Sequence, residues 1–321
     1  MIIYSGVGKI GVSLTDYCIV LDMDETLVHT HEDNDGLDTL DDLDILRDPE
    51  LDDLRQRTYV INFTQESDGI SFPYTMWGTT RPYLKEFLSF CFSFFKLVVI
   101  WSAGKTGYVK AIVDYMFRDL EAPHIVYTDV KCVTIRDEEK GRDIMVKPLA
   151  KLIQEEPQLE RYMTLDKTLI VDDRWSTFRN INDDNGILIP PYEPESTIED
   201  LREPDDTLLR LMYWLTSPGV VEAKDVRRLD KTHVFDEYDE RKLSHNMLRL
   251  LSKSTTVKKF VLPSVSVTST SIPTSTPLPV FHRTRPSHSS RPRLSAIRGV
   301  SDRPARLTSK QTPSQPLQLN R

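Results

Sequence analysis

Residues 18–28, Cys-Ile-Val-Leu-Asp-Met-Asp-Glu-Thr-Leu-Val, decide the fold. An apolar run, Cys18 to Leu21, ends abruptly in two aspartates, Asp22 and Asp24, with Thr26 two residues further on. A strand buried on both faces of a parallel sheet reads as such a run, and ligands of open α/β sheets bind at the carboxyl ends of the strands. Two carboxylates at that edge repel each other unless a cation or a shared proton offsets them. The pattern points to one carboxylate as nucleophile and metal ligand, and the other as proton shuttle.

Working outward, two later runs have the same form. Lys96 to Trp101 ends in Ser102-Ala103-Gly104, and Thr168 to Val171 ends in Asp172-Asp173. Helical patterns separate them: Arg81-Pro82 opens a helix through Cys91, with Pro82 in its first turn, and others run from about Thr106 to Phe117 and Leu149 to Glu156. This alternation predicts an α/β fold whose parallel sheet carries all three polar strand ends on one edge. Lys147 lies between the second and third runs, at a helix start. Together these residues supply a nucleophile, an acid/base, a hydroxyl, an ammonium and a cation site. That set suits phosphoryl transfer through a covalent intermediate, and carboxylates with a backbone carbonyl favour Mg²⁺.

The residues Asp22-Met23-Asp24-Glu25-Thr26-Leu27-Val28-His29 resemble the first motif of the FCP/SCP-like phosphatases, also called NLI-interacting-factor-like, of the haloacid dehalogenase superfamily. Arg81-Pro82 with Phe87-Leu88, Ile100 to Ala103, Val146-Lys147 and Ile170 to Asp173 are similar to its later motifs, in order. Asp205 to Leu215 resembles its closing helix. The resemblance covers roughly residues 14–216. It implies a haloacid-dehalogenase-like Rossmannoid parallel sheet flanked by helices, with a small hairpin and strand insert. It also implies roles: Asp22 attacks phosphorus, Asp24 is the general acid and base, and Ser102 and Lys147 bind the phosphoryl oxygens. Thr26 supports the loop and the substrate side of the site. Mg²⁺ would be held by Asp22, the Asp24 carbonyl and Asp173, with Asp172 orienting Lys147. The implied substrate is a phosphorylated protein or peptide, with segments like the C-terminal repeats of RNA polymerase II as the family's usual targets. A small-molecule phosphatase and a non-catalytic phosphopeptide-binding scaffold are the alternative readings. His29 and His31 are read as lining the loop after Asp24, not as metal ligands.

The net charge of −8 conceals two opposite halves. Residues 253–321 carry 12 Lys and Arg against one acid, Asp302, whereas residues 1–252 hold 29 basic and 48 acidic residues. An acidic body argues against nucleic-acid binding by the core, while the basic, Ser/Thr/Pro/Arg-rich tail is expected to be disordered and to reach an acidic partner or nucleic acid. Residues 217–252 read as a charged helical appendage, so the expected organisation is 1–216, 217–252 and 253–321.

Between Asp24 and Arg81 lies an acidic insert, residues 32–57, with 11 acids and three arginines. It reads as a solvated loop or frayed helix beside the cleft, with a sharper role in selecting basic substrates or docking the tail. Thr58 to Phe63 and Ile70 to Met76 alternate in polarity around Ser67-Asp68-Gly69, a hairpin pattern. Three scattered cysteines, Cys18, Cys91 and Cys132, make no disulfide framework and suit a reducing compartment, cytoplasmic or nuclear. Met1 to Gly11 lacks the features of a signal peptide, and no apolar run reaches membrane-spanning length.

Overall fold

A computed structural model describes residues 12–253, apart from 32–36, 68, 139–140, 161, 179–180 and 237; side chains 67, 158 and 253 are also not described. The tail and the N-terminal stretch read in the sequence lie outside the described residues. In chain order the structure runs β1 (Cys18–Leu21), β2 (Val28–His31), α1 (Leu37–Asp42), α2 (Asp52–Arg57), β3 (Thr58–Ser67) and β4 (Ile70–Thr80). Then come α3 (Leu84–Phe94), β5 (Leu97–Trp101), α4 (Thr106–Met116), β6 (Ile125–Tyr127), β7 (Val133–Asp137), β8 (Arg142–Val146) and α5 (Leu149–Glu155). The chain continues through β9 (Thr168–Asp172), β10 (Gly186–Leu188), α6 (Ile198–Leu201), α7 (Thr207–Leu215), α8 (Pro218–Val221) and α9 (Glu240–Lys253).

The central sheet has the order β10-β9-β1-β5-β6, and every pairing in it is parallel. Register is tight: Leu21 pairs with Ile100 on one side and Val171 on the other. All residues of β1, β5 and β9 are buried. Alternate side chains of these strands enter two cores. Ile19, Leu21, Val98, Ile100, Leu169 and Val171 join α3, α4 and α7 on one face. Cys18, Val20, Val99, Trp101 and Ile170 join Leu149 and Leu152 of α5 on the other. The three strands therefore end level, which brings Asp22, Ser102 and Asp172 to one edge. Residues 218–250 add Val220, Val226, Leu243, Met247 and Leu250 to the first core.

Two expectations need correction. The helix after Arg81-Pro82 starts at Leu84, not in the turn of Pro82; Tyr83 takes a left-handed conformation at φ 63° ahead of it. The reason is local. The Arg81 backbone N–H donates to the Leu27 carbonyl at 2.9 Å, which holds this stretch against the loop after β1 and delays the helix.

The acidic insert is not merely solvated. Its described part forms α1 and α2, and Leu40, Ile45, Leu51 and Leu54 pack with Trp77 and Leu201 in a third apolar cluster. The leucines and isoleucine spaced among the acids supply a thin inner face, so the charge density of the segment masks its amphipathicity. No helix among the described residues is long and apolar enough to cross a membrane. Replacing the fully buried Leu54 by alanine is expected to cost about 2–5 kcal/mol. Urea unfolding measures this, and an unchanged midpoint would show that the insert is not part of the packed fold.

Candidate active site at the carboxyl edge of the sheet

The loop between β1 and β2 is a tight reversal. Asp22 N–H donates to the Val171 carbonyl, which continues the parallel ladder one residue past β1. Leu27 and Val28 N–H both donate to the Met23 carbonyl, and Glu25 turns the chain with φ 56°. A left-handed glutamate is uncommon and costs about 1–2 kcal/mol in itself. Its buried carboxylate lies 3.6 Å from Arg174 and 3.3 Å from His29, contacts that hold the turn from the side. Arg81, almost wholly buried, braces the same loop, donating to the Thr26 carbonyl at 3.2 Å and to Asp205 at 2.9 Å. Asp205 in turn accepts the Thr207 N–H at the start of α7.

Lys147, after β8, is placed by its own N–H, which donates to the Thr177 carbonyl. Its ammonium donates to Asp22 Oδ1 at 2.5 Å and to Asp172 Oδ2 at 2.7 Å. The other oxygen of Asp172 accepts Arg174 N–H at 2.9 Å and the Thr177 hydroxyl at 3.0 Å. Both oxygens of Asp172 are thereby engaged, and it acts as the anchor of Lys147. Thr26 is buried and its hydroxyl faces Asp22 Oδ2 at 3.4 Å. Ser102 is also buried; it accepts the Gly104 N–H and donates to Asp24 Oδ2 at 3.2 Å. The other oxygen of Asp24 accepts a short hydrogen bond from Tyr108 of α4.

All the residues read from the sequence as functional converge here: Asp22, Asp24, Thr26, Ser102, Lys147, Asp172 and Asp173. Tyr108, Arg174 and Arg81 join them. Tyr108 sits within an amphipathic helix where an aromatic reads as core. Arg174 follows two aspartates and gives no pattern of its own. Arg81 was legible only as part of a helix start. His29 and His31 lie on β2, where His31 stacks on Trp77 with ring centroids 4.1 Å apart.

Four carboxylates, those of Asp22, Glu25, Asp172 and Asp173, lie against the two cations Lys147 and Arg174, and Asp24 adds a fifth negative charge beside Asp22. Burial raises the Asp22 carboxyl, opposed by Lys147 and reinforced by Asp172 and Asp24. Burial also raises Asp173, and Asp22 and Asp172 push it further while Arg174 opposes them. For Lys147, burial works against the ammonium, but Asp172 and Asp22 outweigh it and raise its pKa. The site thus carries excess negative charge, as a cation-binding site must. Asp22, Asp172 and Asp173 each bring a carboxylate oxygen within 4.8 Å of the others. Asp173 Oδ1 is buried with no hydrogen-bond partner among the described residues. An all-oxygen set of this kind, with one Asp173 oxygen unpartnered among the described residues and both Asp172 oxygens engaged, fits a hard divalent cation on Asp22 and Asp173.

The profile of the NLI interacting factor-like phosphatases matches residues 17–227. No protein of curated function matches the chain. Two solved structures are similar over 74% of this chain, each with a TM-score of 0.42. One is the fission yeast RNA polymerase II CTD phosphatase Fcp1, in a variant bound to beryllium fluoride, at 14% identity over 52% of its length. The other is Fcp1 described as an essential RNA polymerase II CTD phosphatase, at 15% identity over 63% of its length. The chain therefore spans between half and two thirds of either.

The raised carboxyls set the sign of a pH effect. A folded-state pKa above the unfolded value gives stability that is present in acid and lost as pH rises through the folded value. Without divalent metal, Asp173→Asn is expected to melt above the parent protein at about pH 8, and the gap is expected to close toward about pH 5. Added Mg²⁺ is expected to raise the parent's melting temperature and not the variant's. Thermal scans across pH with and without EDTA check this; a variant that melts lower at both pH values contradicts it.

Proposed function

The chain belongs to the NLI interacting factor-like phosphatase family, and from that membership we propose that it is an Mg²⁺-dependent protein serine/threonine phosphatase acting through an aspartyl phosphate. The observation that carries this reading is the division of labour between two neighbouring carboxylates. Asp22 is clamped by the Lys147 ammonium, while Asp24 is held by neutral hydroxyls from Ser102 and Tyr108. A nucleophile benefits from being kept ionised, and a group that must give and take a proton cannot be locked to a permanent cation.

In the first step an Asp22 oxygen attacks phosphorus. The Asp22 O–P bond forms as the ester P–O bond breaks, and Asp24 gives its proton to the departing serine or threonine oxygen. In the second step Asp24 takes a proton from water while the water oxygen attacks phosphorus. The Asp22 O–P bond then breaks and inorganic phosphate leaves. Lys147 balances the charge that develops on the phosphoryl oxygens, and the Ser102 hydroxyl, whose one proton rests on Asp24 in the substrate-free site, turns to the same group when substrate binds. Mg²⁺ on Asp22, Asp173 and the Asp24 carbonyl would supply further positive charge there. Asp172 holds Lys147 with Oδ2 through both steps, because its Oδ1 is fixed by the Thr177 hydroxyl and the Arg174 amide.

The substrate class we propose is phosphoserine or phosphothreonine in an extended peptide, of which segments like the RNA polymerase II repeats are one example. The 11 acids of residues 32–57, which follow the Asp24 loop in the sequence, would favour peptides with basic flanks.

Turnover of p-nitrophenyl phosphate and of a phosphoserine peptide with and without Mg²⁺ tests the reading. We expect activity only with the metal, and a loss of at least about 1,000-fold in kcat for Asp22→Asn. Metal-independent turnover, or a variant as active as the parent, would sink it.

A further inference from the structure

Three strands of the antiparallel sheet align one row of residues. Thr30 of β2 and Tyr59 of β3 both pair with Gly78 of β4. A side chain at position 78 would collide with the Tyr59 hydroxyl and with the His29 carbonyl. Only glycine leaves room for the Tyr59 ring to lie across β4 and reach the far strand. There its hydroxyl lies 2.7 Å from the Thr30 hydroxyl, to which its one proton goes when Thr30 donates onward, and 3.2 Å from the His29 carbonyl. On its other side the Thr30 hydroxyl lies 2.6 Å from that of Tyr108. Tyr108 then donates to Asp24 Oδ1. An unbroken line of hydroxyls, Tyr59–Thr30–Tyr108, therefore runs from the hairpin sheet to one catalytic carboxylate.

The line is buried: Tyr59, Thr30 and Tyr108 are all at most 4% exposed. A second close approach sets its geometry. At Gly107, next to Tyr108, a side chain would collide with the Thr64 carbonyl of β3, so α4 lies against the same sheet that holds Thr30 and Tyr59. A buried tyrosine hydroxyl needs a partner, and Thr30 already supplies one for Tyr108. The additional bond to Asp24 exceeds what burial of the ring requires. With Ser102 on Oδ2 and Tyr108 on Oδ1, both carboxylate oxygens are held, while the Lys147 ammonium is engaged by Asp22.

We propose that Tyr108 is the positioning residue of Asp24, itself held in place by Thr30 and Tyr59, so that the hairpin sheet orients the acid/base group of the reaction. The inference rests on the proposed role of Asp24 as proton donor to the leaving oxygen. Its chemistry makes a specific demand. Proton donation matters greatly for a serine alkoxide and little for p-nitrophenolate, which leaves unaided. A misaligned Asp24 therefore penalises poor leaving groups selectively, whereas general damage to the site penalises all substrates alike.

The experiment is kcat/KM, with Mg²⁺, for p-nitrophenyl phosphate and a phosphoserine peptide in the full chain, comparing parent, Tyr108→Phe, Thr30→Val and Tyr59→Phe. For Tyr108→Phe we expect a loss of at least about tenfold on the peptide and under about threefold on the aryl ester. Thr30→Val should show the same selectivity with a smaller loss, and Tyr59→Phe a smaller one still. Equal losses on both substrates, or no loss on either, overturn the inference. Should Tyr108→Phe not fold, as judged by its melting curve, Thr30→Val decides by the same criterion. Asp22→Asn separates the two levels. If it removes activity while the tyrosine and threonine variants lose both substrates equally, the phosphatase reading stands and the positioning role falls. If the parent is inactive or Asp22→Asn changes nothing, both fall together.

Discussion

A single buried ammonium organises the site. Lys147 bridges Asp22 and Asp172 across the ends of β1 and β9, and without it three carboxylates would share a small low-dielectric volume. Removing one partner of such a pair typically costs about 3–5 kcal/mol, because the remaining charges are left buried and uncompensated. Lys147 does not neutralise the cluster completely. Among the described residues Asp173 keeps one oxygen unpartnered, and under the proposed reading the surplus of negative charge would draw a divalent cation to this edge. Attraction, repulsion and the metal site are consequences of one charge balance.

The remaining structure keeps that balance in register. Parallel strands end level because their buried side chains interlock on both faces of the sheet, and a slip of one residue would turn each to the wrong core. Arg81 connects the turn after β1 to the start of α7 by way of Asp205, so the nucleophile loop is tied to an element more than 120 residues away. The hairpin sheet with its acidic outer cluster packs beside this loop and contributes the hydroxyl line that ends on Asp24. Two carboxylates separated by one residue thus acquire different partners, and different partners permit different roles.

Much of this was legible in the sequence. The runs ending at Asp22, Ser102 and Asp172 announce buried strands because nothing else joins β-branched residues so directly to carboxylates and hydroxyls. Lys147 and Asp173 were visible at a helix start and a strand end, but their individual roles came from the resemblance, since neither position distinguishes a phosphate or metal contact from a cap or a surface charge. Tyr108 was illegible, because an aromatic on the inner face of an amphipathic helix reads as packing; only three-dimensional proximity shows its hydroxyl on Asp24. Gly78 was likewise silent, since its meaning lies in the cross-strand row with Thr30 and Tyr59. The acidic insert misled for a different reason. Its aspartates dominate the composition, while four buried apolar side chains decide its structure.

The claim on which the account depends is that Asp22 and Asp173 together hold the cation that offsets this charge. Crystals grown with Mn²⁺ in place of Mg²⁺ and measured for anomalous scattering locate that ion directly. The account predicts one strong peak between the Asp22 and Asp173 carboxylates, with Lys147 still bound to Asp172. A peak elsewhere, or no peak at a manganese concentration that supports turnover, would contradict it.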